Sequence, residues 1–186
     1  MIIVNDENSL RIKCEDVLPE EVDFLINLLE TELKESNRLG KFGIGLAAPQ
    51  IGIYKNIAIV RIDQNYSVNL VNCKIENAYD PFLFKNEGCL SFPGRNEDTT
   101  RFQEIHVTNN LIYPHKFVAT GLMAVVCQHE IGHLNGDLFF DHAIPKVVKL
   151  NKSNKVKPND PCTCDKVDLI TGKVKKYKKC CGRNNE

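Results

Sequence analysis

The sequence predicts an α+β domain, on three observations. Residues 20–35 and 118–134 repeat their apolar positions at helical spacing. Residues 56–62, 67–72 and 103–110 alternate or run apolar with β-branched side chains and read as strands. The chain has 186 residues, 42% of them hydrophobic and 26% charged, which is enough for one well-cored globular domain and a small appendage.

In residues 20–35 the apolar positions are Val22, Leu25, Ile26, Leu29 and Leu33, with Pro19 suited to a first helical turn and Gly40 just past the end. Residues 43–50, Gly-Ile-Gly-Leu-Ala-Ala-Pro-Gln, are too rich in glycine and small side chains for a helix interior. The three strands come next, and residues 87–94, with Gly88, Pro93 and Gly94, read as a bent or looped segment between the second and third. The helix at 118–134 takes Thr120 as its N-cap and Gly136 as the residue past its end. Leu122, Val125, Val126 and Cys127 make it apolar enough to lie buried in the body. Residues 151–160 are polar, with three lysines and Pro158, and form a linker.

No apolar run approaches the roughly 18 residues of a membrane span. Met1-Ile2-Ile3-Val4 passes directly into Asn5-Asp6-Glu7, unlike a signal peptide, so the expected location is cytoplasmic, with no membrane partner. The formal charge is zero but uneven. Residues 1–145 hold 12 Lys+Arg against 20 Asp+Glu, a net of −8; residues 146–186 hold 12 against 4, a net of +8. A basic tail on an acidic body is either a solvated end or a contact for something anionic, such as RNA or an acidic protein surface. Of eight cysteines, Cys162, Cys164, Cys180 and Cys181 fall within the last 25 residues, and in a reducing compartment they read as a metal site.

The most specific string is His129-Glu130-Ile131-Gly132-His133. Two imidazoles four residues apart share one helix face and can grip one divalent metal, while the intervening carboxylate projects about 100° away. A metal held this way acidifies water, and Glu130 would carry the proton to a leaving group. Such sites need a third protein ligand, and a zincin-type metallopeptidase would draw it from downstream, where Asp137, Asp141 and His142 are available.

Three segments together resemble the peptide deformylase family: Gly43-Ile44-Gly45-Leu46-Ala47-Ala48-Pro49-Gln50, then Glu87-Gly88-Cys89-Leu90-Ser91, then residues 128–136 around the histidine pair. They occur in the family's order, and the resemblance covers residues 1 to about 142. It implies antiparallel strands wrapped around a central helix that bears the histidines. The implied activity is a metallohydrolase acting on a linear amide, releasing formate from the N-formylmethionine of new polypeptides. Cys89 is then the third ligand beside His129 and His133. The family's native metal is Fe2+, with zinc, nickel or cobalt as substitutes. Glu130 would move the proton; the Gln50 side-chain amide and the Leu90 backbone N–H would stabilise the oxyanion. Substrate would lie along Ile44, Gly45 and Gly88, with Ile44, Val125 and Val126 receiving the methionine side chain and Glu87 a polar contact. No sequence-specific nucleic-acid partner is implied.

The chain departs from the family at Gly132, where Asp is usual, and at Cys73, where proline is usual. An interior glycine costs a helix about 1 kcal/mol relative to alanine. Loss of a carboxylate beside metal ligands commonly lowers affinity or activity 10–100-fold. The expectation is a weakened but active site, with a silent binding module as the alternative; Arg101 would lose its partner, the missing Asp. The tail resembles the SEC-C motif, in which Cys162, Cys164, Cys180 and Cys181 would close a structural Zn2+ site, although the 15 residues between the pairs exceed that motif's spacing. The expected organisation is a catalytic domain at 1–150, a linker at 151–160 and a zinc-binding segment at 161–186. A docking role for the tail on the ribosome or nascent chain follows from the resemblance.

Overall fold

Leu25, Leu29 and Leu33 form the buried stripe of helix α2 (Val22–Arg38), which follows the short helix α1 (Glu7–Leu10) and a 3-10 turn at Pro19–Glu21. The computed structural model describes residues 4–64 and 66–144, with Asn159, Pro161, Cys162, Lys176, Cys180 and Cys181 beyond them. The chain divides into two units, Met1–His142 and Ala143–Glu186.

The first unit holds two three-stranded antiparallel sheets. One is β1 (Gly45–Ala47), β2 (Ile57–Arg61) and β3 (Ser67–Val71) in that order. The other is β4 (Lys74–Gly88), β5 (Asn96–Thr108) and β6 (Lys116–Thr120). Helix α3 (Gly121–Asn135) packs on strands of both sheets, and α2 covers β1 and β2. Ala124, Cys127, Ile131 and Leu134 of α3 join Ala58, Val60, Ile105 and Val107 in one core cluster. A helix apolar on all sides must be central, and α3 is. Gly136 ends it in the left-handed region at φ 80°, as expected of that residue. Among the described residues no helix is long and apolar enough to cross a membrane.

The expected strands at 56–62 and 67–72 are β2 and β3, but three expectations change. The helix begins at Gly121, not 118, because Val118 and Ala119 pair with His106 and Ile105 in the sheet; Thr120 occupies the N-cap position but makes no side-chain cap bond. The strand expected at 103–110 starts at Asn96. Residues 74–88 form a 15-residue strand that the pattern did not reveal, and Glu87 and Gly88 are its end rather than a loop. Its side chains are largely exposed on both faces, so it shows no apolar alternation.

In the second unit Pro161 and Lys176 form an antiparallel bridge. Cys162 is buried, and its sulfur lies within 4.8 Å of those of Cys180 and Cys181. Cys164, the expected fourth ligand, lies outside the described residues, as do 151–158 and 160 of the expected linker.

Candidate active site

The β4–β5 ribbon carries a bulge at the point where it matters for the site. Phe84 pairs with Thr99 but Glu87 pairs with Glu97, so β4 spends one residue more than β5, with Asn86 at φ 59° and its N–H bonded to Asp98 Oδ1. An extra residue re-aims the side chains beyond it. Glu87 turns inward, 4% exposed on an otherwise open strand, and Cys89 comes two residues later.

Glu87 is then fully spent inside the protein. Arg101 grips it with two bonds, Nε to Oε2 at 2.9 Å and Nη2 to Oε1 at 2.6 Å; Thr99 donates to Oε2, and His129 Nδ1 lies 2.6 Å from Oε1. Burial works to raise the Glu87 pKa, but the bonds from His129 and Arg101 outweigh it and bring it down to about 2. Two sequence expectations are corrected here. Arg101 has not lost its partner, since Glu87 supplies it. Glu87 lines the cavity, but its carboxylate faces His129 rather than an incoming side chain, because both oxygens are engaged.

With Nδ1 committed to Glu87, His129 presents Nε2 to the site. His133 presents Nε2 as well, 3.3 Å from Cys89 Sγ. The candidate ligand atoms of Cys89, His129 and His133 lie within 4.8 Å of one another, near enough to close on one metal ion. Burial holds His133 well below the ordinary imidazole range, hence neutral, as a ligand must be. Burial also opposes charge on His129, yet Cys89 and Glu87 raise its pKa, so this pocket favours a cation. The residues present therefore fit a divalent metal. Among the described residues, none of the downstream candidates of the zincin reading joins the cluster of Cys89, His129 and His133: Asp141 is paired with Arg11 and the Leu138 N–H, and Asp137 and His142 are exposed.

Glu130 sits behind the histidines, 4% exposed, and its Oε2 has no hydrogen-bond partner among the described residues. Burial pushes its pKa up to about 7. It stands so close to β1 that a Cβ at Gly45 would fall 2.4 Å from Oε1. Gln50 lies in the 3-10 turn Ala48–Ile51, and its Oε1 reaches back to accept from the Ala47 N–H at 2.9 Å. That leaves Nε2 facing Cys89 Sγ at 3.4 Å.

A cavity of about 530 Å³ opens onto these groups. Ile44, Gly45, Gly88, Val125 and Val126 line it as expected, as do Gln50, Cys89, Leu90, His129 and Glu130. His133 lies deeper, 1% exposed. The sequence reading missed Phe42, Phe84, Asn86, Leu122 and Asn96 on the walls. Leu122 was within reach, one helical turn before Val125 and Val126. Asn86 and Asn96 depend on the bulge and the ribbon register, which leave no local signal. Phe139 was missed too; it stacks on His129 at 5.9 Å and joins Phe92 and Phe140 in a cluster between the Cys89 turn and the end of α3.

At Gly132 a Cβ would come 3.3 Å from the Asp137 carbonyl, so that position faces the turn after the helix. The carboxylate behind His129 comes from Glu87 instead.

Residues 1–149 match the sequence profile of the family described as Polypeptide deformylase. The chain belongs to that family. Among deformylase relatives, Peptide deformylase of Natranaerobius thermophilus is 36% identical over 149 residues, 76% of this chain and 90% of that protein. Peptide deformylase 2 of Bacillus cereus is 38% identical over 165 residues, 81% of this chain and 84% of that protein. The match to Peptide deformylase 1 of Pseudomonas syringae, 39% identical, spans only 54% of this chain and 62% of that protein. Among solved deformylases, that of Synechococcus elongatus in complex with actinonin superposes with a TM-score of 0.67 at 33% identity, covering 77% of this chain and 78% of that one.

Proposed function

We propose that this chain is a metal-dependent deformylase that hydrolyses the N-formyl group of formylmethionyl polypeptides and releases formate. The observation that carries the reading is the convergence of Cys89, His129 and His133 with the Gln50 amide and the Glu130 carboxylate at one cavity. A deformylase of Acinetobacter baumannii, 28% identical with a TM-score of 0.64, has been solved with Met-Ala-Ser bound, a peptide such a reaction would leave.

Cys89, His129 and His133 would hold the metal, which when bound acidifies water and polarises the formyl carbonyl. Thiolate and imidazole donors suit Fe2+ and Zn2+ alike, and Ni or Co as substitutes. Glu130, with a pKa near neutrality, takes a proton at its carboxylate and delivers it to the departing amine. Gln50 Nε2 and the Leu90 backbone N–H are the proposed donors to the oxyanion. Ile44, Val125 and Val126 enclose the methionine side chain, while Gly45 and Gly88 let peptide backbone approach closely. Glu87 orients His129.

The test is formate release from formyl-Met-Ala-Ser, with metal analysis on the same anaerobically purified sample. Glu130→Gln should lose activity and keep its metal, whereas Cys89→Ala should lose both. Cleavage of internal peptide bonds without formate release would overturn the reading in favour of a peptidase.

For the tail we propose a structural Zn2+ held by Cys162, Cys180 and Cys181, with Cys164 as fourth ligand. The proximity of the three sulfurs supports it. Metal analysis should then find a second equivalent that Cys89→Ala leaves in place. The basic charge of residues 146–186 supports docking on an anionic ribosomal surface in the cytoplasm, and unchanged ribosome association at low salt after removal of residues 151–186 would refute it.

A further inference from the structure

We infer that Ser91 is a positioning residue for Gln50, fixing the direction in which the Gln50 amide offers its proton; this rests on the deformylase reading. Ser91 is fully buried and Gln50 is 1% exposed. Gln50 Nε2 donates to Ser91 Oγ at 3.2 Å, while Oε1 accepts from the Ala47 N–H at 2.9 Å. Nε2 also lies 3.4 Å from Cys89 Sγ.

An amide has two N–H donors and one carbonyl acceptor, and the three contacts allow only one orientation. The flipped amide would set its NH2 against the Ala47 N–H, donor against donor. The Ala47 contact alone fixes which end is the carbonyl, but the group can still tilt about that bond. Ser91 is the second anchor. With one N–H held by Ser91, the other projects toward Cys89 and the cavity, where charge develops during attack. A donor held in advance stabilises that charge without reorganising. Ser91 is not on the cavity wall, so it acts through Gln50 and not on substrate. The Glu87-Gly88-Cys89-Leu90-Ser91 segment thus carries a candidate metal ligand and, two residues on, the clamp for a side chain from the 3-10 turn after β1.

The experiment is a double-mutant cycle on the full-length, metal-loaded chain, with formate release from formyl-Met-Ala-Ser as readout. Ser91→Ala should lower kcat about fivefold to tenfold, the worth of one hydrogen bond, and leave KM within about twofold. Gln50→Ala should lower kcat by about 10²–10³-fold. In the Gln50→Ala background, Ser91→Ala should change kcat by less than about twofold. Ser91→Thr, which keeps the hydroxyl, should recover most of the loss.

A second readout needs no turnover. In the zinc-loaded protein, the Gln50 side-chain NH2 pair should exchange slowly with solvent, and exchange should quicken at least tenfold in Ser91→Ala. Equal losses of kcat in both backgrounds, or unchanged amide exchange, would overturn the proposal. If Ser91→Ala does not fold, Ser91→Cys takes its place; failure of both to fold would assign Ser91 to the fold and also overturn it. Absence of formate release by the wild type would refute the deformylase reading instead, with the exchange measurement still deciding the hold on Gln50.

Discussion

Gly45→Ala is the smallest change that sets the two halves of the site against each other. Gly45 lies in β1, paired with Val60, and Glu130 lies on the central helix. A Cβ at position 45 would stand 2.4 Å from Glu130 Oε1, 2.9 Å from Cδ and 3.0 Å from Cγ. To restore an ordinary contact of 3.4 Å the carboxylate must retreat by about 1 Å. Three atoms are crowded, so turning the terminal carboxylate does not relieve the clash and the whole side chain must move. The backbone cannot give way easily, since all three β1 residues are buried and paired to β2. Overpacking of this kind costs about 1–3 kcal/mol of stability. A misplacement of about 1 Å at a reacting group costs on the order of 100-fold in rate, or about 2.7 kcal/mol of barrier. None of the candidate metal ligands is touched. The expected result is therefore a folded protein with unchanged metal content and a kcat for formate release lowered about 100-fold. Adding Gly45→Ala to Glu130→Gln should cost little more than Glu130→Gln alone. A Gly45→Ala protein within threefold of wild type would refute the geometry.

Three further outcomes are expected of the same structure. Arg101→Leu leaves the buried Glu87 carboxylate short of its cation, so unfolding free energy should fall by about 3–5 kcal/mol and metal should dissociate faster; thermal denaturation and chelator competition check this. Gly132→Asp places its Cβ against the Asp137 carbonyl and leaves the Glu87–His129 bond untouched, so formate release should rise no more than about threefold; a tenfold gain would reinstate position 132 as the source of a missing carboxylate. Asp141, held below its ordinary value by the hydrogen bond from Arg11, stabilises the fold above a pH of about 3.8 and loses that contribution as pH falls through its depressed folded-state pKa. Because the pair is a third exposed it is worth about 0.5–1 kcal/mol, and the melting-temperature gap between wild type and Asp141→Asn should close below pH 4.

What the sequence determined by itself was everything with a local period or a fixed string. Leu25, Leu29 and Leu33 declared α2; short runs rich in β-branched and apolar side chains declared β2 and β3; His129 and His133 shared a helix face because 3.6 residues make a turn. The three strings around Gln50, Cys89 and His129 identified the family. Only the tertiary structure decided what depends on register and long-range contact. Strand β4 is largely exposed on both faces, so its length, its bulge and the inward turn of Glu87 left no apolar pattern to read. The carboxylate that holds His129 comes from 42 residues upstream, a pairing that no helical spacing announces. Arg101, Ser91 and Phe139 likewise acquire their parts only once two sheets and a helix close around the same few ångströms. A hydrogen bond between distant residues is a fact of packing, and no local spacing encodes it.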